Sequence, residues 1–170
     1  MTLRPYQLEA ATFLSRQRRA GVQSAAGSGK TFIAAAALDM ALRSRARLRQ
    51  VRIGWIAPTI ETRDQAWKAL REFPFVMEQD VKVECAAANT DWYDRDVVVC
   101  DEAHQATAPV LRSQIERCPG AWWAFTATPF GEDEERNMAL LQMFPAWHVV
   151  TREQVGQCLT PASVQWLDAS

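Results

Sequence analysis

The segment Ser24-Ala25-Ala26-Gly27-Ser28-Gly29-Lys30-Thr31 constrains this chain more than any other. Its two glycines permit a tight turn of backbone that other residues resist, and Lys30-Thr31 then opens an alanine-rich apolar stretch, Lys30 to Leu42, that reads as a buried helix. A turn of this kind aims backbone N–H groups and a helix N-terminus at one point, which is a cradle for phosphate oxygens. Val22 to Ser24 supplies a short strand before it, and the rest of the chain keeps the same alternation. Val51 to Ala57, Val81 to Cys85, Val97 to Cys100, Trp122 to Thr126 and Trp147 to Val150 are apolar runs of strand length. Helical patterns separate most of them, at Glu61 to Phe73, Val110 to Arg117 and Glu132 to Phe144. This predicts an α/β fold, a mostly parallel sheet with helices on both faces. Pro5, followed by Tyr6, Ala10, Phe13 and Leu14 at helical spacing, predicts an opening helix to about Arg19, stopped by Gly21. Val164 to Leu167 reads as a last extended piece.

A chain of 170 residues suits one domain with a real core, and 48% apolar against 23% charged residues excludes disordered and fibrous classes. The formal net charge of −1 gives no global attraction for polyanions, so nucleic-acid binding needs a local patch. Arg43, Arg45, Arg47, Arg49 and Arg52 are a candidate, although a solvated loop at a helix end explains them better. Cys85, Cys100, Cys118 and Cys158 have no metal-binding or redox spacing and read as reduced core thiols. With no export segment and no membrane-length apolar run, a cytoplasmic protein without a membrane partner is expected. Trp55, Trp122 and Trp123 fall in predicted strands and Trp67 in a helix, as core residues do. Trp92, in the polar stretch Asn89-Thr90-Asp91-Trp92-Tyr93, is predicted to be exposed.

A second motif, Val97-Val98-Val99-Cys100-Asp101-Glu102-Ala103-His104, puts two carboxylates at the carboxyl end of a strand, where sheets of this class bind ligands. Alone, Asp101 and Glu102 read as solvated carboxylates opening a loop, and the glycine turn alone reads as a helix N-cap. Together they describe an ATP site. Ala26, Gly27, Ser28 and Gly29 line the phosphates, and Lys30 neutralises the outer ones. Thr31 and Asp101 hold magnesium (Mg²⁺), and Glu102 polarises the attacking water.

With Asp101-Glu102-Ala103-His104 and Thr126-Ala127-Thr128-Pro129 both present, the chain resembles the first RecA-like domain of superfamily two helicases, the DEAD/DEAH-box group of P-loop NTPases. Ser24 departs from the pattern, standing where the first glycine of the phosphate loop is usually written. Leu3-Arg4-Pro5-Tyr6-Gln7 looks like the family's adenine-recognising motif, with Gln7 reading the base, and Ala57-Pro58-Thr59 looks like its nucleic-acid motif Ia. The resemblance implies that Pro58 and Thr59 contact nucleic acid and that His104, Thr126 and Thr128 couple the ATP site to it. Thr59 also reads as a plain helix N-cap. The Arg-Pro-Tyr-Gln start and Thr-Ala-Thr ending are similar to the type III restriction and DNA repair translocase branch, favouring DNA over RNA. Residues 1–150 then form the ATP-binding domain, and 151–170 a connector toward a second RecA-like domain beyond this sequence. That second domain brings arginine fingers worth about 10³ to 10⁵ in rate. The implied function is therefore helicase-type ATP hydrolysis that is weak alone and completed by a chain carrying the second domain, or by self-association. The alternative is a non-enzymatic module that binds nucleic acid or a helicase.

Overall fold

The structure, a computed structural model, describes residues 2–44, 49–88, 90–128 and 131–157. Helix α1 (Pro5–Ser15) leads into strand β1 (Arg19–Ser24), the glycine turn and helix α2 (Lys30–Arg43). Strand β2 (Arg52–Ala57), helix α3 (Ile60–Leu70), the single turn α4 (Pro74–Met77) and strand β3 (Asp80–Cys85) follow. The chain continues through β4 (Val97–Asp101), α5 (Pro109–Arg117), β5 (Ala121–Thr126), α6 (Glu134–Met143), β6 (Ala146–Val150) and α7 (Arg152–Gln157).

All five strand pairings are parallel and build one six-stranded sheet in the order β3-β2-β4-β5-β1-β6. Inner parallel strands covered on both faces are near-continuous apolar runs, and here alternate residues sort into two cores. Trp55, Val97, Val99, Trp123 and Phe125 join α1, α2, α3 and α4 in one. Ile56, Val98, Cys100, Trp122 and Ala124 join α5 and α6 in the other. Five alanines within α2 let that helix lie close to the sheet, and Ala34, Ala35, Ala36 and Ala37 are all buried.

Several elements differ from their predicted form. The opening helix ends at Ser15, not near Arg19, because Arg19 already pairs with Trp122 as the first residue of β1. Its guanidinium there donates to the carbonyls of Ile115 and Cys118. Gly21 is no helix stop: it lies inside β1, where a Cβ would come within 2.3 Å of the Trp147 ring. The helix predicted to reach Phe73 ends at Leu70, since Pro74 disfavours helical backbone at the residue before it and starts its own turn. Trp92 is buried at 3% exposure, not exposed, and its indole stacks on the strand at Gly54, where a Cβ would lie 2.6 Å away. The Cys118 thiol donates to the Trp92 carbonyl at 3.7 Å and helps hold that segment down. The extended piece predicted at Val164 to Leu167, most of the connector, Cys158, Arg45, Arg47 and Pro129 lie outside the described residues.

Candidate functional site

Parallel strands bring every carboxyl end to one edge of the sheet, and β1 and β4 deliver the two motifs there. The turn after β1 works through its glycines. Gly27 and Gly29 have φ of 78° and 82°, left-handed values at which a side chain is strained. Gly29 is also the residue preceding α2, and no side chain caps that helix, so its first N–H groups face the cleft. Ser28 is buried, and its carbonyl accepts from both the Tyr6 hydroxyl at 2.8 Å and the Gln7 amide at 3.0 Å. The Gln7 carbonyl oxygen accepts from Arg4 N–H at 3.0 Å. Helix α1 is thus tied to the phosphate loop, and Gln7 lies against Gly29.

Strand β4 sits between β2 and β5 and carries Asp101 at its end. Burial pushes the Asp101 carboxyl up, the Lys30 charge opposes this, and the Glu102 charge adds to it. Asp101 also accepts from Glu102 N–H at 3.0 Å. Glu102 has φ of 55°, a left-handed conformation uncommon outside glycine, and this sharp turn aims its carboxylate back over the loop. One Glu102 oxygen lies 3.7 Å from Lys30 Nζ, and the other lies 3.3 Å from His104 Nδ1. Lys30, Asp101, Glu102 and His104 therefore meet.

The cleft they border has a volume of about 500 Å³ and is lined by Ala26, Gly27, Gly29, Lys30, Thr31, Phe32, Asp101 and Glu102. Thr62, Gln65, Lys68 and Ala69 of α3 form its far wall, and no motif in the sequence marks them. The signal was there: two successive crossovers of one hand lay α2 and α3 side by side, and Thr62, Gln65 and Ala69 recur at helical spacing. No arginine is among the described residues lining the cleft.

The other predicted site residues stand apart from this cluster. Thr126 is buried at the end of β5, and its hydroxyl oxygen accepts from Thr128 N–H at 3.2 Å, while Thr128 is exposed. Among the described hydrogen bonds and ion pairs, none joins His104 to either threonine. Pro58 and Thr59 lie at the start of α3 on the same edge of the sheet. Thr59 caps α3, accepting from Thr62 N–H at 3.3 Å while Thr62 Oγ1 accepts from Thr59 N–H at 2.9 Å. The described arginines of the basic run are also engaged: Arg43 pairs with Asp39 at 2.7 Å, and Arg49 and Arg52 both face Asp96.

The donor set suits a nucleoside triphosphate with a hard cation. Unspent N–H groups and Lys30 face the cleft, and the Thr31 hydroxyl and Asp101 carboxylate offer oxygen ligands. Among the described residues there is no cluster of three or more His, Cys, Asp or Glu able to cage a metal. Magnesium at such sites characteristically relies on one or two protein oxygens plus phosphate.

The family described as type III restriction enzyme, res subunit, matches residues 1–94, which takes in α1, the phosphate loop, α2, β2, α3 and β3. The chain belongs to that family. No curated protein matches it significantly. Among solved structures, the UvsW helicase from bacteriophage T4 aligns with a TM-score of 0.69 at 15% identity, over 88% of this chain and 61% of that one. The Hef helicase domain of Pyrococcus furiosus aligns with a TM-score of 0.68 at 17% identity, over 93% of this chain and 40% of that one. At these identities the likeness is one of fold, that of a RecA-like helicase domain, and this chain spans less than two thirds of either structure. No helix among the described residues is long and apolar enough to cross a membrane.

Proposed function

We propose that this res-family domain is the ATP-binding half of a superfamily two DNA helicase or translocase, hydrolysing ATP with Mg²⁺ and coupling that to nucleic acid. The observation that carries the reading is the convergence of Lys30, Asp101 and Glu102 on the open N-terminus of α2, beside two left-handed glycines. ATP supplies the transferable phosphoryl group, and Mg²⁺ neutralises charge on its oxygens. Lys30 exchanges its Glu102 partner for a phosphate oxygen. The released Glu102 carboxylate, still oriented by His104, then accepts a proton from the attacking water. Thr31 and Asp101 hold the cation; binding it offsets the burial that otherwise resists ionisation of Asp101. Gln7 abuts Gly29 of the phosphate loop and is the residue we assign to the base. Pro58 and Thr59 are assigned to nucleic acid, and His104, Thr126 and Thr128 to coupling. The restriction function in the family's description favours DNA over RNA.

The cleft offers Lys30 and Lys68 but no arginine from its own described lining. An arginine finger typically adds about 10³ to 10⁵ in rate, so we assign the missing cation to a second RecA-like domain or to self-association. The test is ATP affinity and turnover of the purified chain with and without single- and double-stranded DNA. Binding with slow turnover is expected, and Lys30→Ala should abolish binding while the chain stays folded. Unchanged affinity in that variant would overturn the site assignment. Fast DNA-stimulated turnover by the monomer would overturn the need for a supplied arginine.

A further inference from the structure

A larger cleft, of about 570 Å³, lies at the other edge of the sheet, where β1, β2, β4 and β5 begin. Strands of this length separate the two edges by about 17–20 Å, so this cleft shares no residue with the ATP site. Five arginines line it, Arg16, Arg18, Arg49, Arg52 and Arg95, against two aspartates, Asp94 and Asp96. In a chain whose formal net charge is −1, this concentrates positive charge in one concavity.

The two aspartates act as a base plate for the guanidinia. Asp96 accepts from Arg49 Nη1 at 2.9 Å and from Arg52 N–H at 2.7 Å. Burial opposes its ionisation, yet the bonds from Arg49 and Arg52 and their charges hold its carboxyl below the usual carboxylate range. Asp94 lies 3.3 Å from Arg95 Nε and 3.8 Å from Arg52 Nη1. Asp80, outside the lining, takes Arg95 Nη1 at 3.0 Å. Even with Asp80 counted, five cations meet three anions. Arg16 and Arg18 have no carboxylate partner among the described ion pairs; Arg18 donates to the Pro119 carbonyl at 2.6 Å. Tyr93 stands in the same lining with 55% of its surface exposed, an aromatic face beside fixed guanidinia.

From this arrangement we infer that the amino-end cleft is a second nucleic-acid contact, holding the phosphates of a single strand on Arg16, Arg18 and the outer faces of Arg49 and Arg52, with a base stacked on Tyr93. Guanidinium forks match phosphate oxygens in pairs, and an aromatic platform beside a basic groove is how single strands are held without sequence preference. The contact is independent of the ATP site and of Pro58 and Thr59, and so stands or falls separately from the proposed function.

The experiment is fluorescence anisotropy of a labelled oligothymidylate titrated with the chain, from about 50 to about 200 mM salt. The variant Arg16→Ala/Arg18→Ala removes two cations without a carboxylate partner among the described ion pairs and costs one hydrogen bond, to the Pro119 carbonyl; unchanged ATP affinity and an unchanged circular dichroism spectrum check that the chain stays folded. The inference expects the log–log salt slope to become shallower by about 1.4, or about 0.7 for each lost single-strand phosphate. Tyr93→Ala should weaken binding at least about fivefold at every salt concentration, leaving the slope as it was. An unchanged slope in the arginine variant would overturn the inference, even if Thr59→Ala weakened binding and so supported the other edge. Displacement of the oligonucleotide by polyglutamate as readily as by unlabelled oligothymidylate would overturn it too, reassigning the cleft to acidic protein segments.

Discussion

Gly29→Ala would place a methyl group where the Gln7 amide now sits, with the new Cβ 2.5 Å from Gln7 Nε2. Two costs are separable. The left-handed backbone, φ 82°, costs an alanine about 1–2 kcal/mol. The Gln7 amide must also move away, giving up its bonds to Ser28 O and from Arg4 N–H at about 0.5–1.5 kcal/mol each. Gly29→Ala should therefore destabilise the natural sequence by about 2–5 kcal/mol, and a Gln7→Ala background by only about 1–2 kcal/mol. For a chain of this size that separates a melting-temperature loss of about 4–20 °C from one of about 2–8 °C. Urea unfolding of the parent, both single variants and the double variant yields the coupling energy, expected at about 1–3 kcal/mol. ATP affinity should fall in both backgrounds, because the strained turn is the phosphate cradle we propose. Additive destabilisation to within about 0.5 kcal/mol would refute the reasoning, since Gln7 would then not rest on Gly29.

Three further perturbations read the site and its surroundings. Glu102→Gln keeps the shape that faces Lys30 and His104 but cannot take a proton, so ATP binding should survive and turnover should vanish; full turnover would place water activation elsewhere. The raised Asp101 pKa means that the fold prefers its neutral form, so the ionised group costs stability, increasingly as pH rises through the folded pKa. Asp101→Asn should then raise the melting temperature at neutral pH and abolish magnesium-dependent turnover, and a lower melting temperature would contradict this. Asp96 has the opposite sign: its folded pKa is depressed, so its contribution is present above the unfolded value near about 3.9 and is lost as pH falls through the folded one. Asp96→Asn should be less stable than the parent at neutral pH, with the gap closing in acid when melting is followed on lowering pH, and a gap independent of pH would exclude the mechanism.

The sheet was legible because its inner strands β2, β4 and β5 are buried on both faces and so read as near-continuous apolar runs, the mark of parallel pairing. Helix α2 was legible for the same reason, its alanines marking close packing. The phosphate loop was readable because the backbone conformation it needs demands glycine at two positions. What the sequence hid were contacts between distant segments. Trp92 lies in a polar stretch, and the partners that draw it inward, the bare backbone of Gly54, the thiol of Cys118 and the side chain of Gln114, lie far from it in the sequence. Gly21 looked like a helix terminator because its real constraint, the Trp147 ring, comes from an edge strand far along the chain. The α3 wall of the cleft was hidden because helix neighbours follow from crossover direction, which no single segment records.

The alternation along β4 reaches further than its packing. Val97 and Val99 face the core beneath α2, Val98 and Cys100 face the other, and Asp101 continues the first series. The carboxylate is therefore aimed by parity: an even number of steps along the strand, four from Val97, keeps it on the side of the helix that carries Lys30 and Thr31. Inserting or deleting one residue between Val97 and Asp101 would exchange the two cores and send the carboxylate to the wrong side of the sheet, even with every side chain retained. Exchange between valine and isoleucine here costs about 0.5–1.5 kcal/mol and leaves the carboxylate aimed, but the count of residues could not change. In this strand the chemistry is written in spacing, and side-chain identity matters mainly at its last position.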